Sequence, residues 1–216
     1  MWFFLLEYRI MMTLPHFTDP IPSINNLWQE QARLKNQANK LINKTNILGL
    51  FAKYGELSSI GGSYEYNLMV YPDLDIGVVA PSVKKDDFAS LVGELTASEY
   101  VRKIGTADTV NFEPVHPGRR PKGYWIGLEV PFEEDRWGID CWVQQPEWVS
   151  DSEDTYAGRL LVLEQPGQDA ILLIKYDLIR RGVYGKTVFS VDVYDAVLNE
   201  DVRTVTEFNK LHGIAN

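Results

Sequence analysis

Residues 60–79 read IGGSYEYNLMVYPDLDIGVV, and this stretch decides the fold. A short apolar run, Leu57 to Ile60, meets Gly61, Gly62 and Ser63, which reads as a strand breaking into a tight glycine turn. Further on, Leu74, Ile76 and Val78 alternate with Asp73, Asp75 and Gly77. Period two makes this a strand with its carboxylates on one face. Taken alone, the turn is an ordinary strand-to-helix connection with Ser63 as N-cap. A lone Asp-x-Asp pair is most often a solvated strand edge.

Upstream, Ser23 caps a long amphipathic helix in which Ile24, Leu27, Trp28, Leu34, Ala38, Leu41 and Ile42 recur at helical spacing, with Gly55 as its end. Downstream, a helix is expected from Ser82, with Phe88, Leu91, Val92 and Leu95 three and four apart. Residues 100–122 read as a loop, because Pro114, Pro117, Gly118 and Pro121 interrupt any long element around Arg119, Arg120 and Lys122. Tyr124–Val130 and Trp137–Val143 read as two strands joined in a hairpin across Glu133, Glu134 and Asp135. In the second of these, Ile139, Cys141 and Val143 take one face, and Asp140 and Trp142 the other. After an acidic loop over 145–158, three helices are expected at Asp169–Arg181, Ser190–Leu198 and Asp201–Leu211, the first stopped by Gly182 and the last by Gly213.

A glycine-serine turn, an Asp-x-Asp strand and a third aspartate on a later strand, in that order, resemble the nucleotidyltransferase superfamily with the DNA polymerase beta type of catalytic core. The match covers about residues 57–145. It implies an α+β fold, a mixed sheet flanked by helices and followed by a small helical part, with residues 1–150 as the catalytic core and 151–216 as the helical region. It implies that Asp73 and Asp75 ligate magnesium, and that Asp140 ligates a second ion and helps to deprotonate an acceptor hydroxyl. Gly62 and Ser63 would then hold the triphosphate of an NTP, ATP being favoured. The Arg-Gly pair that follows the serine in many members is replaced by Tyr64–Met69, which leaves the subfamily open.

Elementary chemistry agrees with that reading. Two carboxylates at ~4 Å repel by about 4 kcal/mol at an effective dielectric near 20, a cost that a divalent cation removes. Oxygen-only ligation with room for water and phosphate suits Mg²⁺, and two such ions can clamp an in-line displacement. Glycine lets backbone approach a ligand, and N–H groups in a turn cradle anions. Lys175, Arg180, Arg181 and Lys186 are read either as a solvated helix face or as phosphate-neutralising groups like those of similar enzymes. Lys175 is the chosen nucleotide-binding residue, since Ile171, Ile174 and Leu178 anchor the helix around it.

The whole chain sets outer bounds. Its 216 residues carry 21 Lys and Arg against 30 Asp and Glu, for a net charge of −9. That balance argues against a broad grip on nucleic acid and favours a small, hydroxyl-bearing, cationic acceptor. Glu147, Asp151, Glu153 and Asp154 point the same way. The single cysteine, Cys141, forms no intrachain disulfide and fits a reducing, cytoplasmic setting. Met1–Leu6 is too short to span a membrane and lacks the pattern of a signal peptide; it is either an extension ahead of a start at Met11 or Met12, or a docked edge strand. His16, His116 and His212 are too scattered for zinc, and Gly185-Lys186-Thr187 lacks the upstream glycine of a phosphate loop. Cys141 reads as a small buried hydrophobe. The expected activity is Mg²⁺-dependent transfer of a nucleoside monophosphate to a hydroxyl with release of pyrophosphate, the alternative being a non-catalytic nucleotide-binding or antitoxin-like module of the same fold.

Overall fold

The computed structural model describes residues 21–112, 121–149 and 156–215. Met1–Leu6, His16, His116, Arg119, Arg120, Asp151, Glu153 and Asp154, for which expectations are stated above, lie outside the described residues. Contacts divide the described chain into two units: one of residues 36–65, 72–112 and 121–149, the other of 21–35, 66–71 and 156–215.

The first unit is built on a mixed five-stranded sheet in the order β1-β2-β5-β4-β3. Its strands are β1 (Glu56–Gly61), β2 (Asp73–Val79), β3 (Lys103–Asp108), β4 (Tyr124–Phe132) and β5 (Asp135–Gln144). Only the β2–β5 pair is parallel; the other three are antiparallel. The alternation seen in the sequence sorts the two faces. Leu74, Ile76, Val78, Ile139, Cys141, Val143, Ile126, Leu128 and Val130 share one face and are all almost wholly buried. On that side lie the C-terminal half of α1 (Ile24–Thr45), α2 (Ile47–Phe51) and α4 (Lys85–Thr96), which contribute Ala38, Leu41, Ile47, Phe51, Leu91 and Leu95 to the core. Gln37 fastens α1 to the hairpin, its Oε1 accepting from Trp137 Nε1 at 3.2 Å.

Three elements of this unit differ from the sequence reading. The first helix does not run to Gly55, because Asn46 adopts a left-handed conformation (φ 50, ψ 29) and starts a new helix, α2. Asparagine tolerates that region better than most residues. β3 stands where a loop is expected: KIGTAD has no strong apolar alternation, being an edge strand that pairs on one side only and stays half exposed. The helix expected from Ser82 begins at Lys85, where Asp87 accepts from the Lys84 backbone N–H at 2.9 Å.

The second unit packs α6 (Gln165–Arg180), α7 (Ser190–Asn199) and α8 (Val205–His212), with the short α5 (Ala157–Leu161), around a core of Ile171, Ile174, Leu178, Val193, Val197 and Phe208. Leu27 of α1 and Leu68, Val70 and Tyr71 belong to the same core. Trp28 Nε1 donates to Asp169 Oδ1 at 2.7 Å. α8 starts at Val205 rather than at residue 201, because Thr204 and Glu207 form a capping box. Gly182 and Gly213 end α6 and α8 with φ of 67 and 63. Among the described residues, no helix is long and apolar enough to cross a membrane.

Candidate active site

The second face of the sheet is polar, and the ladder registers fix what meets on it. Asp75 pairs with Asp140 across the parallel β2–β5 ladder, and Asp73, two residues before Asp75, pairs with Gly138. Residues opposite each other point to the same side, so the three aspartates from two strands share one face. Gly61 is the partner of Asp75 on β1, and Gly127 the partner of Asp140 on β4. A row of Gly61, Asp75, Asp140 and Gly127 therefore crosses four strands. Asp73 is buried (6% exposed), Asp75 exposed and Asp140 intermediate.

The side chains of the two paired acids lean in opposite directions. A Cβ built on Gly62 would lie 2.0 Å from Asp75 Oδ2, so that carboxylate rests over the bare Cα of Gly62. A Cβ on Gly127 would lie 3.3 Å from Asp140 Oδ1, so the second carboxylate reaches toward β4. As they stand, no three His, Cys, Asp or Glu side chains among the described residues form a group able to hold a metal ion. The donors nonetheless suit a hard cation, being carboxylate oxygens from one sheet face with Asp75 open to solvent.

The glycine turn forms a single helical turn, α3 (Gly62–Glu65). Gly62 has φ 62, in the region that L residues avoid, and Ser63 is 8% exposed. The Tyr64 hydroxyl donates to Asn39 Oδ1 of α1 at 2.7 Å, which ties the turn to the helix side of this unit.

Lys175 lies inside the second unit with 0% exposure. Its ammonium donates to the Leu68 carbonyl at 2.9 Å and sits 6.0 and 5.9 Å from the ring centres of Tyr184 and Tyr194. Of the other basic candidates there, Arg180 and Arg181 both pair with the buried Asp177, at 2.6 and 3.2 Å. His212 stacks on Phe208 with ring centres 4.3 Å apart. Cys141 is buried on the core face, as expected, and burial, with the Asp140 charge as a smaller contributor, pushes its thiol well above the ordinary value.

The sequence reading passed over two features of the polar face. Glu129 of β4 is a fourth carboxylate on it, 2% exposed and held by Arg102 at 2.9 Å and Lys103 at 3.3 Å. Gly127 and Trp125 flank Asp140 from the same strand. A glycine inside the otherwise bulky run Tyr124–Val130 was the available signal, since such a glycine marks a close approach.

A five-stranded mixed sheet with flanking helices and further helices after it make an α+β fold that matches that of a nucleotidyltransferase. A solved structure agrees: a cytoplasmic RNA terminal U-transferase matches with a TM-score of 0.50 and 18% identity over 81% of this chain. The chain spans about half the length of that enzyme, with 50% of it covered. No protein-family model and no curated protein sequence matches the chain.

Proposed function

We propose that this chain is a Mg²⁺-dependent nucleotidyltransferase that moves a nucleoside monophosphate from an NTP, ATP favoured, to a hydroxyl of a small cationic acceptor, releasing pyrophosphate. The observation that carries the reading is the register that sets Asp140 opposite Asp75, with Asp73 two residues along, in the row that Gly61 begins. Asp73, Asp75 and Asp140 would hold two magnesium ions, which when bound supply positive charge for the phosphate oxygens and the attacking oxygen. Gly62 and Ser63 bind the polyphosphate through backbone N–H groups and the serine hydroxyl. Asp140 takes the proton from the acceptor hydroxyl as it attacks. The net charge of −9 attracts a cationic acceptor, and the lone Cys141 supports a cytoplasmic setting.

A second reading, with RNA as the acceptor, is favoured by the likeness to an RNA terminal U-transferase. Labelled NTPs incubated with Mg²⁺ and a panel of aminoglycoside-like compounds, RNA and the protein itself decide between them. Label on a small cationic compound supports the first reading, and label on RNA the second. Nucleotide retained without transfer to any acceptor refutes both and identifies a binding module.

A further inference from the structure

We infer that Trp125 and Gly127 form the seat that positions Asp140, Trp125 acting as a positioning residue for the transfer reaction; this rests on the function proposed above. A Cβ on Gly127 would meet Trp125 Cζ2 at 2.6 Å, Trp125 Cη2 at 2.7 Å and Asp140 Oδ1 at 3.3 Å. Indole and carboxylate oxygen thus both border the one space that glycine leaves open. Any side chain there displaces one of them. Gly127 is the direct ladder partner of Asp140, and Trp125 pairs with Trp142 one step along the same face, so the register places both side chains beside this glycine.

The Trp125 indole is on one side of that space and the Asp140 carboxylate on the other. The indole is 4% exposed and turns about only two side-chain bonds, so it makes a stiff wall. Asp75 has a counterpart in Gly62, on the other side of the row. What distinguishes Asp140 is that its glycine is shared with a rigid aromatic ring, which limits how far the carboxylate moves toward β4.

The test uses the whole chain and three variants, Trp125→Leu, Trp125→Phe and Gly127→Ala. Mn²⁺ uptake is followed by titration in the presence and absence of NTP, and kcat and KM for NTP are measured with whichever acceptor the wild type labels. Trp125→Leu removes the ring, and is expected to lower kcat by about tenfold to 100-fold, the scale of a ~1 Å misplacement. Its KM for NTP should stay within about twofold, because the polyphosphate is held elsewhere. Mn²⁺ binding should weaken in parallel. Trp125→Phe restores an aromatic ring and should recover most of the loss in both readouts. Gly127→Ala forces the indole off its place and should behave like Trp125→Leu without removing apolar area.

Wild-type kcat and Mn²⁺ affinity in both Trp125→Leu and Gly127→Ala overturn the seat while leaving the transfer reading intact. Failure of Trp125→Phe to recover anything beyond thermal stability also overturns it. Should Trp125→Leu fail to fold, Gly127→Ala and Trp125→Phe decide. Mn²⁺ uptake that these substitutions weaken, in a wild type that labels no acceptor, sinks the transfer reading and keeps the seat. A wild type that takes up no Mn²⁺ with or without NTP sinks both.

Discussion

Adjacent glycines in the turn make opposite predictions. Gly62 has φ 62, and a Cβ there would lie 2.0 Å from Asp75 Oδ2 and 3.0 Å from its Cγ. Gly61 ends β1 without a positive φ, and a Cβ there would find nothing closer than Ser59 Oγ at 3.7 Å. Gly61→Ala should therefore be near neutral. Gly62→Ala incurs about 1–2 kcal/mol for placing a side chain in the left-handed region. For a chain of this size that lowers Tm by about 2–8 °C. The clash adds little to this, because the obstructing atom ends a side chain that can rotate. It does move the Asp75 carboxylate by roughly 1 Å or more to reach an ordinary contact distance. A displacement of that size in a reacting group costs on the order of 100-fold in rate. The assay pairs thermal unfolding with NTP turnover on both variants. Gly62→Ala should show a modest fall in Tm with a large loss of turnover, and Gly61→Ala neither. Equal behaviour of the two, or wild-type turnover in Gly62→Ala, would refute the argument that this glycine seats Asp75.

Asp75→Asn and Asp140→Asn keep the side-chain shape and remove its charge, so each should abolish transfer with Tm largely retained; substantial turnover in either removes that residue from the site. Cys141, buried with its thiol pushed up by burial and then by Asp140, should resist a thiol reagent such as dithionitrobenzoate at neutral pH and react only in denaturant. Rapid reaction of the folded chain contradicts its placement. Glu207 is held below its ordinary range first by the Arg203 backbone N–H, at 2.9 Å, and next by Thr204. A depressed carboxylate stabilises the fold above its unfolded pKa and loses that contribution as pH falls through the folded value, so Glu207→Gln should flatten the fall in Tm below about pH 4.5. An identical acid limb in wild type and variant goes against it. Lys175→Met leaves the Leu68 carbonyl without its ammonium donor, which should cost about 1–3 kcal/mol of stability. An unchanged Tm with weakened NTP binding would assign Lys175 to phosphate instead.

The parts of this fold that were legible in the sequence are those where one period dominates. β2 alternates Asp73, Asp75 and Gly77 with Leu74, Ile76 and Val78, and β5 sets Asp140 between Ile139 and Cys141, so the period of two fixes both the strand and the side its aspartates take. β3 was not legible because an edge strand with only half-buried positions imposes little pattern on KIGTAD. The break at Asn46 was missed because helical spacing continues through it, and only a backbone angle separates α1 from α2. Lys175 shows the limit of reading charge apart from position. It sits with Ile171, Ile174 and Leu178 at the spacing of one helix face, and that spacing speaks for burial as much as for anchoring. The box of Thr204 and Glu207 was also present in the sequence and marks the start of α8.

The glycines at 62 and 127 follow from the acids they serve. Adjacent strands run about 4.8 Å apart, so aspartates at ladder-paired positions begin close together, and two carboxylates at ~4 Å repel by about 4 kcal/mol at an effective dielectric near 20. Leaning outward relieves part of that cost, Asp75 toward Gly62 and Asp140 toward Gly127. Each acid leans over a glycine, and the side chain that glycine lacks leaves that space open. Filling either seat displaces its carboxylate. The two glycines therefore belong to the electrostatics of the aspartate row as much as to the shape of the backbone.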